Sequence, residues 1–177
     1  MLKKYLLGSL LVVTSVAGKA TDPPSSKSKS TTTREVSEKT EYSKLTDDLQ
    51  RFAKKFIGIR YLWGGKAPKG FDCSGLVNYV FAKFGMKVGH RSSDLFKLGY
   101  HTSPEEAQPG DLIFFKINGS KEAVSHVGIV LESDKNGLRF IHSARQKGVC
   151  ISYLKESYYS KHFAGIRRVI DSLKGCQ

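Results

Sequence analysis

The sequence predicts an α+β fold: N-terminal helices packed on a mainly antiparallel sheet of five or six strands. Three observations carry this expectation. Apolar residues recur at helical spacing in the first half of the folded region. After the turn signal Gln108-Pro109-Gly110-Asp111 the pattern changes to short runs rich in β-branched and aromatic residues. Turn-type pairs such as Asn118-Gly119 and Asn136-Gly137 separate some of these runs. Helices first and strands afterwards favour segregated layers over alternating βαβ units. A chain of 177 residues with 40% hydrophobic and 25% charged residues has room for one ordinary core plus extensions.

Residues 1–20 do not belong to that core. Lys3 and Lys4 precede an apolar run from Tyr5 to Val16, and small residues follow in alternation. This is the pattern of a secretory signal peptide cleaved after Ala17 or Ala20, and the run is short for a bilayer span. The expected product is exported to the periplasm or cell envelope of a bacterium, with no stable membrane anchor. Residues 21–41 are rich in Ser, Thr, Lys and Pro and are expected to form a disordered linker, because they offer little apolar surface to bury. The folded domain is expected over 42–171, with a short tail at 172–177.

Within the domain, Leu45, Leu49, Phe52, Phe56 and Ile57 recur as one face of a helix that Gly58 ends. A glycine-rich stretch, Tyr61 to Gly65, leads into Phe71-Asp72-Cys73-Ser74-Gly75. From there Leu76, Val77, Val80, Phe81 and Phe84 give a second buried helix face, stopped at Gly85. A short helix is expected at Ser92–Leu98. Strands are expected at Leu112–Lys116, Val124–Leu131, Leu138–Ser143, Val149–Tyr153 and Ala164–Ile170.

The helix start places Cys73 in a first turn, where the dipole favours a thiolate and lowers the thiol pKa. Asp72 or Ser74 is placed to cap the same turn. The plainer alternative is that Cys73 is a small buried hydrophobe. His126 and His142 lie in strands that should be neighbours, and both are candidates to face that helix start. A cysteine nucleophile needs a base within hydrogen-bond reach, and the base needs a group to orient it. Cys73, His126 and His142 fill those roles. Alone, each histidine also fits a hydrogen-bonded core position, and the three together also fit a metal site without a clear fourth ligand. No Cys-x-x-Cys pair is present, so a structural zinc site is not expected, and thiol chemistry of this kind needs neither metal nor cofactor. Three cysteines, Cys73, Cys150 and Cys176, leave at least one thiol unpaired within the chain, and a Cys150–Cys176 bridge is conceivable.

The formal charge is +13, and loss of Lys3, Lys4 and Lys19 with the signal peptide leaves about +10. An anionic envelope polymer fits this charge better than nucleic acid, for which neither zinc-finger spacing nor an RNA-binding aromatic motif is present.

These segments together resemble the NlpC/P60 cysteine peptidases. The likeness is carried by Tyr61–Gly65, the Asp72-Cys73-Ser74-Gly75 helix start, the Pro109-Gly110-Asp111 turn before a strand, the His126-Val127-Gly128 strand and Phe140–Ala144, in that order. It covers about Lys44 to Ile170 and is strongest towards single-domain exported members of Gram-negative bacteria. The resemblance implies a papain-like fold and hydrolysis of peptidoglycan stem peptides by a monomer. It implies Cys73 as nucleophile, His126 as base, His142 as the orienting residue, and Tyr61 beside the oxyanion. Trp63, Asp72, Ser74, Arg91, Ser92, Ser93 and Ser125 are the expected substrate-binding residues. Lys66 and Lys69 are further candidates to meet substrate carboxylates.

The bond first in line is that between D-γ-glutamate and a diamino acid. The D,D cross-link between diaminopimelate and D-alanine is the alternative. An amidase or acyltransferase and a non-catalytic wall-binding module stand behind both. Two departures matter. Relatives that require a free amino terminus carry Arg-Asp-Ser where this chain has Arg91-Ser92-Ser93, and single-domain relatives often carry Gln where Phe96 stands.

Overall fold

The structure, a computed structural model, describes residues 29–117, 121, 123–135 and 137–171. The expected signal peptide, the start of the expected linker, the 172–177 tail, Cys176 and the turn residues Asn118, Gly119 and Asn136 lie outside them. The chain divides into two units, one ending at Val36 and one beginning at Ser37. The second holds the fold.

Helix α1 (Lys29–Lys54) starts inside the segment expected to be a disordered linker. Residues 35–41 are exposed yet helical, so the low apolar content anticipates their exposure but not their backbone. Propagating a helix outward from a packed segment needs no new nucleus, and Lys, Arg and Glu are good helix formers. Farther along α1, Leu49 and Ala53 are fully buried, with Leu45 and Phe52 packed against the same core. The helix ends at Lys54, short of Gly58, so Ile57 sits in the following turn and is 49% exposed.

A hairpin of β1 (Lys66–Ala67) and β2 (Gly70–Phe71) precedes α2 (Cys73–Lys83). Met86 N–H donates to Phe81 O and Gly85 N–H to Ala82 O, closing α2 through a left-handed Gly85 as expected. The next helix, α3 (Ser92–Leu95), is shorter than expected. The remaining elements are β3 (Tyr100–Thr102), β4 (Leu112–Phe115), β5 (His126–Asp134), β6 (Gly137–Ala144), β7 (Gly148–Tyr153), α4 (Ser157–His162) and β8 (Phe163–Arg168).

Six strands pair antiparallel in the order β3-β8-β4-β5-β6-β7. The five expected strands are all present, each within a few residues of its expected ends. Edge strand β3 of this sheet, and β1 and β2 of the hairpin, are not among the expected strands, since two or three residues carry no readable period. Alternation along each strand separates two apolar clusters. Leu112, Phe114, Val127, Ile129 and Ile141 face α1 and α2. Ile113, Phe115, Val130, Phe140 and Ile166 form a smaller cluster with Tyr159 of α4. Phe96 packs on Phe114 with ring centroids 5.0 Å apart and lies under the Arg167 guanidinium.

The Pro109-Gly110-Asp111 turn has a structural task. Arg168 donates from Nε to Asp111 Oδ1 and from its terminal nitrogen to Oδ2, each at 3.0 Å. The Gln108 N–H adds a bond of 2.8 Å to Oδ2. This buried fork joins the start of β4 to the end of β8. Truncating Arg168 strands a carboxylate that is 1% exposed. Arg168→Ala should therefore lower unfolding stability by about 3–5 kcal/mol in urea titration. A loss below about 1 kcal/mol would mean that the fork contributes no more than a surface pair.

Candidate active site

Cys73 is held by its neighbours on both sides. Asp72 caps α2: its Oδ1 accepts from Gly75 N–H at 2.6 Å and from the Ser74 hydroxyl at 3.1 Å. Its Oδ2 accepts from Gly64 N–H at 2.9 Å, which binds the glycine-rich loop to the helix start. Gly75 lies so close to the Gly65 carbonyl that any Cβ would collide with it. Tyr61 bridges to Phe71 beside this junction, and Ser143 of β6 donates to Phe71 O at 2.7 Å. The thiol itself approaches the backbone amide of Val127, one residue past His126.

His126 opens β5, and its Nε2 lies 2.8 Å from Nδ1 of His142 on β6. The rings meet edge to face at 87°. They belong to the sheet face that carries Phe140, not the face on which α2 packs. A Cβ on Gly128 would come within 3.2 Å of His142 Cβ and 2.8 Å of the Phe140 ring. Glycine in the His-Val-Gly segment therefore leaves the space through which the two histidines meet. His142 is fully buried, and its Nε2 is surrounded by Tyr159 OH at 3.2 Å, Ser152 Oγ at 3.3 Å and Cys150 Sγ at 3.6 Å. Cys150 is a free thiol.

A cleft of about 960 Å³ brings Cys73, His126, His142 and Tyr61 together. Trp63, Asp72, Ser74, Arg91, Ser92, Ser93 and Ser125 all line it. Several of them are occupied by structural bonds. Both Asp72 oxygens serve the cap, the Ser74 hydroxyl lies 2.9 Å from His90 O, and Ser125 Oγ accepts from Ile117 N–H at 2.9 Å. Lys66 and Lys69, which neighbour the motif in sequence, lie in the exposed β1–β2 hairpin and do not contribute to the cleft wall. Arg145, Lys147, Glu156, Tyr158 and Tyr159 line it and were not anticipated. Arg145 and Lys147 follow β6 directly, so extending the His142 strand by one turn points to them. Tyr158 and Tyr159 belong to α4, a six-residue helix too short for a periodic signal.

Electrostatics correct one expectation. Burial pushes the Cys73 thiol up to about 11, outweighing the Val127 and Ser74 amides that favour thiolate. The helix start alone led to the opposite sign. Burial, and then the Arg145 charge, bring His126 down to about 4. Burial, the His126 ring and Lys147 bring His142 down to about 3. The resting site therefore holds a neutral thiol and two neutral imidazoles near pH 7. Tyr61 is raised by burial and then by the neighbouring thiol, with Arg145 opposing.

The class of protein is thus set: an α+β scaffold with a cysteine at a helix start beside a strand-borne histidine pair, the arrangement of papain-like folds. The chain belongs to the NlpC/P60 family, whose model matches residues 58–168. It is 39% identical over 120 residues to a gamma-DL-glutamyl hydrolase of Bacillus subtilis, a match that covers 66% of this chain and 28% of that protein. It is 34% identical over 116 residues to a probable endopeptidase of Haemophilus influenzae, covering 65% of this chain and 69% of the relative. Among solved structures, an NlpC/P60 family protein of Bacillus cereus superposes with a TM-score of 0.64 at 32% identity, covering 71% of this chain and 40% of that one. The chain thus spans well under half of the Bacillus proteins and about two thirds of the Haemophilus one.

The histidine pair makes a sharp spectroscopic prediction. A base at His126 Nδ1 requires a proton on His126 Nε2, which must donate to an unprotonated His142 Nδ1. His142 must then carry its proton on Nε2, among the oxygens of Tyr159 and Ser152. Nitrogen-15 NMR at pH 7 should find both rings as neutral Nε2–H tautomers. Nδ1–H tautomers on both rings would contradict a base at Nδ1.

Proposed function

We propose that this chain is a cysteine endopeptidase that hydrolyses stem peptides of peptidoglycan, cutting between D-γ-glutamate and the diamino acid. The observation that carries the reading is the 2.8 Å pairing of His126 with His142 in the cleft that holds Cys73. The Bacillus subtilis relative, a gamma-DL-glutamyl hydrolase, supports the γ-glutamyl side of that bond. The catalytic domain occupies residues 42–171, and the signal-like pattern of 1–20 delivers it to the envelope, where its substrate lies.

The reaction proceeds from the neutral pair. His126 Nδ1 takes the Cys73 proton as the sulfur attacks the amide carbonyl, and a C–S bond forms. The Cys73 N–H and the Tyr61 hydroxyl receive the oxyanion. His126 then returns the proton to the leaving amine, and the C–N bond breaks. Water, deprotonated by His126, attacks the thioester, and the C–S bond breaks to release the carboxylic acid and restore the thiol. His142 holds the His126 ring and shares its charge while the imidazolium lasts.

Cys73→Ala should abolish release of the diaminopimelate-containing fragment from defined stem peptides while leaving the melting temperature near wild type. His126→Ala should cost on the order of 10³-fold in kcat. His142→Asn should retain more activity than His142→Ala, because an amide still bonds the ring. Digestion of cross-linked dimers separates the bonds: two intact tetrapeptide monomers would mean that the cross-link is cut instead.

The pH profile follows from the depressed imidazole. Protonation of His126 removes the base, so kcat/KM should stay level through pH 6 and fall only as pH drops towards about 4. An acid limb centred near 6.5 would show that burial does not depress His126 in the free enzyme.

A further inference from the structure

Arg145 is a charged group of the cleft to which the mechanism gives no task. It lies in the turn after β6, three residues beyond His142, and its side chain is exposed. Its guanidinium stands over the Trp63 ring, 5.3 Å from the centroid, and that ring is itself 75% exposed. It also faces the Tyr61 hydroxyl, beside the thiol. Two exposed aromatic and cationic side chains stacked over a cleft are an unusual use of surface. The stack limits the rotamers of Arg145 and holds its planar donor fork at the rim.

Among the described residues the fork has no anion of its own: no carboxylate forms an ion pair with Arg145. The two acidic residues of the cleft wall are engaged elsewhere. Asp72 caps α2, and Glu156 Oε1 accepts from Tyr153 N–H at 2.6 Å. Lys147 adds a second positive charge to the same turn.

We propose that Arg145, held on Trp63 beside Tyr61, is the seat of a substrate carboxylate and sets a preference for stem peptides with a free carboxylate flanking the scissile amide. The inference rests on the endopeptidase reading for the identity of the peptide, and on the geometry for the carboxylate. Two carboxylates flank that amide: one on the D-γ-glutamyl residue and one on the diamino acid. Both present the same planar anion to a guanidinium fork. Occupancy has a catalytic consequence. The empty Arg145 charge opposes an imidazolium at His126. A carboxylate seated on Arg145 cancels that opposition when His126 must accept the thiol proton. A peptide amidated at the recognised position loses both binding and this assistance.

The test separates the carboxylate seat from turnover. Binding of three synthetic peptides would be measured by calorimetry to Cys73→Ala protein with and without Arg145→Gln. The peptides are L-Ala-γ-D-Glu-diaminopimelate with free acids, its glutamyl carboxamide and its diaminopimelyl carboxamide. One amidation should weaken binding to the C73A protein by about tenfold, as should R145Q, and the two together should cost no more than either alone. The sensitive position identifies the carboxylate. Equal R145Q effects on all three peptides, no effect, or no binding of any peptide would overturn the proposal. Wild-type turnover of the free-acid peptide is scored separately. Carboxylate-dependent binding without cleavage would sink the endopeptidase reading and leave the seat standing. Cleavage with no carboxylate dependence would do the reverse.

Discussion

A single carboxylate fixes where the chemistry can happen. Asp72 binds the amides of Gly64 and Gly75 and the hydroxyl of Ser74, so loop, cap and helix share one anchor. Without it, the Gly75 amide in the first turn of α2 would lose its acceptor, and the Tyr61–Gly65 loop would lose its bond to the helix start. Because α2 is then clamped over the sheet by Leu76, Val77 and Val80, Cys73 arrives beside the first residues of β5 with little freedom. The histidine pair approaches from the opposite face of the sheet, around the start of the same strand. The site is a junction between two packed layers, and the rigidity of both sets its geometry.

That placement has an electrostatic cost which shapes the reaction. Burial disfavours the thiolate and the imidazolium alike, so the Cys73 thiol and the His126 imidazole rest neutral. In the proposed mechanism the Val127 and Ser74 amides, Tyr61 and the His142 ring meet the charges that appear during reaction. An environment that penalises charge at rest and meets it with fixed dipoles during the reaction is selective for the transition state over the ground state. Arg145 fits the same logic from outside, as a charge that hinders His126 until substrate neutralises it.

Much of this was legible in the sequence, for identifiable reasons. The α2 face, its cap, the five main strands and the adjacency of His126 and His142 follow from period, turn residues and chain order. The opposite-face approach of the histidines did not, because it depends on the register of β5 against β4, in which Phe115 pairs with His126 and Phe114 with Val127. The sign of the thiol shift was missed because the helix dipole is local and visible, whereas burial is a property of the assembled fold. Residues 29–41 were read as disordered because burial and helicity were equated. Tyr159 and Ser152, which surround His142, come from a short helix and from a strand position whose partner is known only once β6 and β7 are in register.

The central claim is that Cys73 attacks a stem-peptide amide beside the histidine pair. Its most direct test is rapid acid quench of wild-type protein with the L-Ala-γ-D-Glu-diaminopimelate tripeptide, followed by intact and peptide-level mass spectrometry. The account predicts a transient thioester of L-Ala-γ-D-Glu on the peptide that contains Cys73, together with free diaminopimelate. Turnover with no adduct under any quench condition, or an adduct on Cys150 instead, would contradict it.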